Sequence, residues 1–109
     1  MSEKSKMAIL NRNLRICVKT GKVIMGKKNV LRTLRTQSGK LLILAENLPE
    51  LYRKEMLYHV EKQARKIGVF TYPGSSWDLG NHVGKPHMVG AMLVQQAGDS
   101  KILEVIKEF

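Results

Sequence analysis

Residues 20–55 read TGKVIMGKKNVLRTLRTQSGKLLILAENLPELYRKE, and the apolar run Leu41–Ala45 inside them decides the fold. The run has strand length and is far too short to span a membrane. Five consecutive apolar residues between Lys40 and Glu46 mark a strand buried on both faces. Helices must then cover both sides of its sheet. Upstream, Lys22–Met25 reads as a short strand broken by Gly26, and Val30, Leu31 and Leu34 recur at helical spacing towards Ser38-Gly39. Downstream, Pro49 suits the first turn of a helix whose inner face is Met56, Leu57, Val60, Ala64 and Ile67, stopped by Gly68.

The same reading extends to both ends. Met7, Leu10, Leu14, Cys17 and Val18 form the apolar stripe of a first helix closed by Thr20-Gly21. Val69–Tyr72 is a third strand ended by Pro73-Gly74, and Ser75-x-x-Asp78 is a capping box for a short helix reaching Gly84. Met88–Val94 is a fourth strand. Asp99 caps a last helix that turns Ile102, Leu103, Val105 and Ile106 inward. The alternation α-β-α-β-α-β-α-β-α predicts an α/β protein with one mostly buried sheet. A chain of 109 residues holds one core, so residues 7–109 are expected to be a single domain, with residues 1–6 as a loose basic arm.

Chemistry-bearing residues are few. His59, His82 and His87 have no metal-ligand spacing, and the single Cys17 lies on an apolar stripe, where a thiol packs as a small hydrophobe. No nucleophile elbow, P-loop or dinucleotide fingerprint is present. The expectation is a protein that is not an enzyme and takes no cofactor and no metal. No secretory signal precedes the first helix, and no segment sets a cationic stripe opposite exposed Trp or Phe, so a cytoplasmic location without membrane contact is expected.

Charge points to a partner. Lys and Arg number 19 against 9 Asp and Glu, a formal net charge of +10. Residues 1–40 carry eleven of the cations and one acid, Glu3, whereas residues 41–109 are balanced at eight of each. A basic segment of one sign within a folded chain favours a polyanion, above all nucleic acid. Gly26-Lys27-Lys28-Asn29 lies between a strand and a helix, where free backbone N–H groups and the positive end of the helix dipole accept phosphates. Arg32 follows on the same helix face. Asn47 stands at the carboxyl end of the buried strand, where ligands collect in open α/β sheets. It is equally placed to cap the helix at Pro49. Gly26–Asn29 and Asn47 converge if their strands are parallel neighbours. Only six aromatic residues are present, which disfavours a single-strand stacking platform and favours a structured RNA.

Residues 20–55, the stretch LGNHVGKPHMVGAMLV at 79–94 and the turn Gly98-Asp99-Ser100 together resemble the L-thirty-e family of large-subunit ribosomal proteins. That family lies within the kink-turn RNA-binding superfamily that includes L-seven-A-e. Gly84-Lys85-Pro86-His87 resembles its archaeal branch. The resemblance implies a three-layer α/β/α sandwich around a four-stranded mixed sheet. It also implies a structural constituent of the large ribosomal subunit that binds ribosomal RNA, often at a kinked internal loop with sheared G·A pairs. Such a protein sits in the ribosome beside other large-subunit proteins, serves translation, and is a monomer when free. Carried over, Gly26, Lys28, Asn29 and Arg32 match the first RNA-contacting loop and helix, where the backbone of Gly26–Lys27 is also expected to meet base edges. Asn47 matches a second loop and Arg53 the helix after it; Lys85, Pro86 and His87 match a third loop. Strong kink-turn binders carry Glu where this chain has Asn29, and an amide bonds a guanine edge without charge assistance. Eukaryotic relatives place an aromatic at the position of His87. A kink-turn protein of a non-ribosomal guide-RNA particle would share these residues; a protein–protein adaptor without RNA specificity would use the apolar strand edge or the last helix instead.

Overall fold

In the computed structural model, which describes residues 3–37, 39–63 and 66–109, the apolar run Leu41–Ala45 is strand β2, and all five of its residues are buried. Around it lie α1 (Glu3–Thr20), β1 (Lys22–Met25), α2 (Lys27–Thr36), α3 (Glu50–Lys62), β3 (Gly68–Tyr72), α4 (Ser76–His82), β4 (Ala91–Gln96) and α5 (Ile102–Val105). Among the described residues the strands form one mixed sheet in the order β1-β4-β2-β3. β4 runs antiparallel to both β1 and β2, and β3 is parallel to β2.

Alternation along β2 divides the interior in two. Leu41, Ile43 and Ala45 pack with Leu10, Leu14 and Cys17 of α1, Leu79 of α4 and Ile102 of α5. Leu42 and Leu44 pack on the opposite face with Val30, Leu31 and Leu34 of α2 and Met56 of α3. This is the expected three-layer sandwich, produced by a side-chain period of two in a strand covered on both faces. A hydrogen-bonded triad ties the first layer together. The Tyr72 hydroxyl donates to Asn11 Oδ1 at 2.7 Å and lies 3.0 Å from His82 Nδ1. That nitrogen is also 2.8 Å from the Asp78 carbonyl, which can only accept, so the His82 proton sits on Nδ1. Burial, with Asp78 nearby, pushes the Tyr72 phenol up to about 12, so it stays a neutral donor. Desolvation likewise raises the Cys17 thiol, which stays protonated inside the core.

Several boundaries differ from the sequence reading. Helix α1 begins at Glu3, so residues 3–6 of the expected loose arm are helical. Glu, Lys and Ser there carry no helix breaker ahead of the apolar stripe. Helix α3 ends at Lys62, not at Gly68, although its apolar spacing continues. The chain leaves the helix at Gln63, whose side-chain amide donates to the carbonyls of Leu34 (2.7 Å) and Gln37 (3.1 Å) at the end of α2. Ile67 is buried outside the helix, Gly68 opens β3, and Ala64 lies outside the described residues. Leu57 and Val60 are only half-buried. Helix α4 carries the predicted Ser75/Asp78 capping box but stops at His82. Strand β4 starts at Ala91, three residues late, because Met88–Gly90 forms a loop. Asp99 does not cap α5: the N-cap is Lys101, and its N–H is taken by Asn13 Oδ1 of α1 at 2.9 Å.

Candidate nucleic-acid interface

β1 and β2 are parallel, but β4 lies between them, so the sequence-based condition of neighbouring strands is not met. Convergence follows all the same. The carboxyl ends of β1, β2 and β3 and the start of β4 share one end of the sheet, where ligands of open α/β sheets gather. A groove opens there. Gly26 and Lys27 line one side, Asn47, Leu48 and Pro49 the second, and Ser76, Met88 and Gly90 the third.

The first wall is a built turn. Gly26 has φ +95°, a conformation that side-chain-bearing residues rarely adopt. Its N–H donates to the Ala91 carbonyl (3.0 Å), and its carbonyl accepts from the Val30 N–H to open α2. No side chain caps this helix end and no acid stands in its first turn. Lys27 and Lys28 occupy that turn instead, where cations oppose the helix dipole by about 0.3–1 kcal/mol each. Such a placement weakens the isolated helix and strengthens its attraction for an anion. Lys27 is steadied by the Tyr52 ring, with Nζ 4.7 Å from the centroid. Asn29 donates from Nδ2 to the Met25 carbonyl at 3.2 Å and accepts from Arg32 Nη2. The pair holds the Arg32 guanidinium on the exposed face of α2.

Asn47 is not the cap of α3, whose N-cap is Pro49. It reaches instead to α4: Oδ1 accepts the Ser76 N–H (2.8 Å) and Nδ2 donates to Ser76 Oγ (3.3 Å). It thereby satisfies one of the free N–H groups at the start of that helix. Replacing Asn47 by Ala is expected to cost about 1–2 kcal/mol of stability in urea unfolding. Asn47→Asp, which keeps the acceptor, should lose less. Equal losses for both would place the stabilisation elsewhere.

Arg53 faces inward. Its Nη2 donates to the Ala45 carbonyl (3.3 Å) and its Nε lies 3.8 Å from Glu50, so it braces the turn behind the groove. Lys85, Pro86 and His87 are exposed in the loop between α4 and β4. They line a second groove, next to the first, together with Trp77, Asp78 and Asn81. The Asp78 carboxyl is held below the usual range by the backbone N–H and hydroxyl of Ser75, which keeps it ionised. His59 is half-buried and packs edge-on against Tyr58. No group of three metal-ligating side chains occurs among the described residues.

The basic segment of the sequence is split by the fold. Arg12, Arg15 and Lys19 are exposed on α1, in the layer of the first core cluster. Lys27, Lys28, Arg32 and Arg35 belong to α2 on the other face of the sheet. Among the described residues only Arg35 of these is ion-paired, with Glu55 at 3.0 Å. Sequence reasoning missed Ser76, Met88 and Trp77 as wall residues. The signal available was adjacency: Ser76 and Trp77 follow the capping box directly, and Met88 follows the Lys85–His87 loop.

Comparison with known proteins shows the family of the chain. The Ribosomal protein L7Ae/L30e/S12e/Gadd45 family matches residues 8–104. The chain is similar to the Large ribosomal subunit protein eL30 of Methanothermobacter thermautotrophicus, 40% identical over 97 residues, covering 89% of this chain and 97% of that one. The protein of the same name from Pyrobaculum islandicum is 37% identical over 101 residues, covering 93% and 98%. That from Saccharolobus solfataricus is 37% identical over 95 residues, covering 87% and 86%. A solved structure of a Bacillus halodurans protein of unknown function shares the fold, with a TM-score of 0.69 and 23% identity over 96% of this chain and 99% of that one.

Proposed function

The chain belongs to the Ribosomal protein L7Ae/L30e/S12e/Gadd45 family, and from that membership we propose that it is a structural constituent of the large ribosomal subunit that binds ribosomal RNA at a kink-turn-like internal loop. The observation that carries the reading is the meeting of three chain segments at one end of the sheet. These are the uncapped, lysine-bearing start of α2, the Asn47 turn and the loop ending at Met88 and Gly90. In this reading Lys28, Arg32 and Lys85 neutralise phosphates and release counterions. Backbone groups at Gly26–Lys27 and the amides of Asn29 and Asn47 meet base edges in the opened loop. Arg53 acts by holding the turn rather than by touching RNA. Lys27 contributes charge from its seat over Tyr52. The protein works as a monomer within the ribosome, with no catalytic step, no cofactor and no membrane contact. Among the described residues no helix is long and apolar enough to cross a membrane.

A tagged chain expressed in a cell related to those of its relatives tests the assignment. Sedimentation is expected to place it with the large subunit, resistant to washing at moderate salt. Recovery instead with small guide RNAs and a modification enzyme would replace the ribosome by a non-ribosomal particle.

A further inference from the structure

Trp77 is the only tryptophan in the chain. It stands on the first turn of α4 with 63% of its surface exposed. A single exposed apolar side chain is ordinary on a protein surface. This one lies in a groove, and the groove adjoins the RNA-facing one: Ser76 walls the first, Trp77 the second, and His87 leads directly into Met88. Its backbone is fixed from both sides by the Ser75/Asp78 capping box and by the Asn47–Ser76 hydrogen bonds.

The groove's lining combines groups of different chemistry. Lys85 supplies a cation, Asp78 an ionised carboxylate, Asn81 an exposed amide and Trp77 a flat apolar face. A phosphate is attracted to Lys85 and repelled from Asp78. A nucleobase has no net charge, offers edge donors to a carboxylate or an amide, and stacks on indole regardless of sequence. We propose that an unpaired nucleobase of the bound RNA stacks on Trp77, with its adjoining phosphate at Lys85. The inference rests on the RNA-binding reading given above and extends the contact surface beyond the kinked loop itself. Trp77 is then a specificity-determining residue: it selects RNAs in which a base beside the loop is free to leave the helix.

The single tryptophan makes its own reporter. The full chain is titrated with a kink-turn RNA carrying one unpaired nucleotide beside the loop, and with the same RNA made abasic at that nucleotide. Stacking is expected to quench the Trp77 emission by half or more on the intact RNA and much less on the abasic one. Trp77→Ala is expected to weaken the intact RNA about tenfold and the abasic RNA hardly at all, with Trp77→Phe in between. Quenching that persists on the abasic RNA, or equal affinities for Trp77→Ala and the parent on intact RNA, would overturn stacking while leaving the RNA-binding reading in place. Absence of any preference of the parent chain for kink-turn RNA over duplex would overturn both.

Discussion

Replacing Lys28 and Arg32 together by alanine is expected to weaken binding to a kinked internal loop about thirty-fold at roughly 0.15 M salt, and to shallow the dependence of log K on log salt by about two units. Both side chains are exposed, and neither makes an ion pair among the described residues, so the fold has no need of their charge. They sit on the first turns of α2, where the helix dipole and free N–H groups already favour a phosphate. Each cation that meets a phosphate displaces one condensed counterion, and the measured slope counts such contacts. Alanine at Arg12 and Arg15, on the other side of the sheet, is expected to change the slope for the same RNA by less. An unaltered slope in the α2 double variant would remove these residues from the phosphate contacts.

Glycine at position 80 is predicted to be indispensable for a steric reason. A Cβ there would lie 2.1 Å from the His87 carbonyl oxygen and 3.3 Å from the Val89 nitrogen. Both are backbone atoms, so no side chain can swing away. Gly80→Ala must push the Lys85–Gly90 loop from α4 and cost about 1–3 kcal/mol or more, a fall in melting temperature of about 4–8 °C for each kcal/mol. RNA affinity should fall with it, because that loop walls both grooves. Gly84→Ala is the contrast. Nothing lies near its Cβ, and only its φ of +79° is unfavourable, worth about 1–2 kcal/mol without displacing the loop. Thermal melts and RNA titrations of the two variants separate the clash from the backbone cost. A Gly80→Ala protein as stable as the parent would mean that the loop is not packed on α4 as described.

Much of this fold is legible in local pattern because local pattern is what the sheet demands. Leu41–Ala45 is apolar throughout since both faces of β2 are covered, and Ser75-x-x-Asp78 forms its capping box from its own four residues. Where the reading failed, the deciding partner was distant in sequence. Gln63 leaves α3 to cap α2 across 29 residues, and Asn13 holds the N–H of Lys101, the residue before α5, across 88. Apolar spacing in residues 60–67 carries no trace of the former, and Asp99 looked like a cap because its true competitor lies in another helix. Strand order was equally invisible. Nothing local says that β4 inserts between β1 and β2, yet that insertion still brings Gly26 and Asn47 to one groove.

The site was legible as a set of loops but not as a division of labour. Residue type and place point to Asn47 and Arg53 as RNA contacts; the hydrogen bonds to Ser76 and Ala45 add a bracing role that residue type alone does not reveal. The charge of residues 1–40 looked like one patch because sequence distance hides the sheet that separates α1 from α2.

The central claim is recognition of a kinked, structured RNA by the surface at the carboxyl ends of β1 and β2. It is tested most directly by salt-titrated binding to two RNAs of equal length, one a kink-turn and the other the same sequence with its G·A pairs made Watson–Crick. A preference for the kink-turn of at least about tenfold that persists as salt rises is expected, since base-edge contacts survive screening and phosphate contacts do not. Equal affinities that collapse together with salt would contradict it and reduce the surface to a nonspecific basic patch.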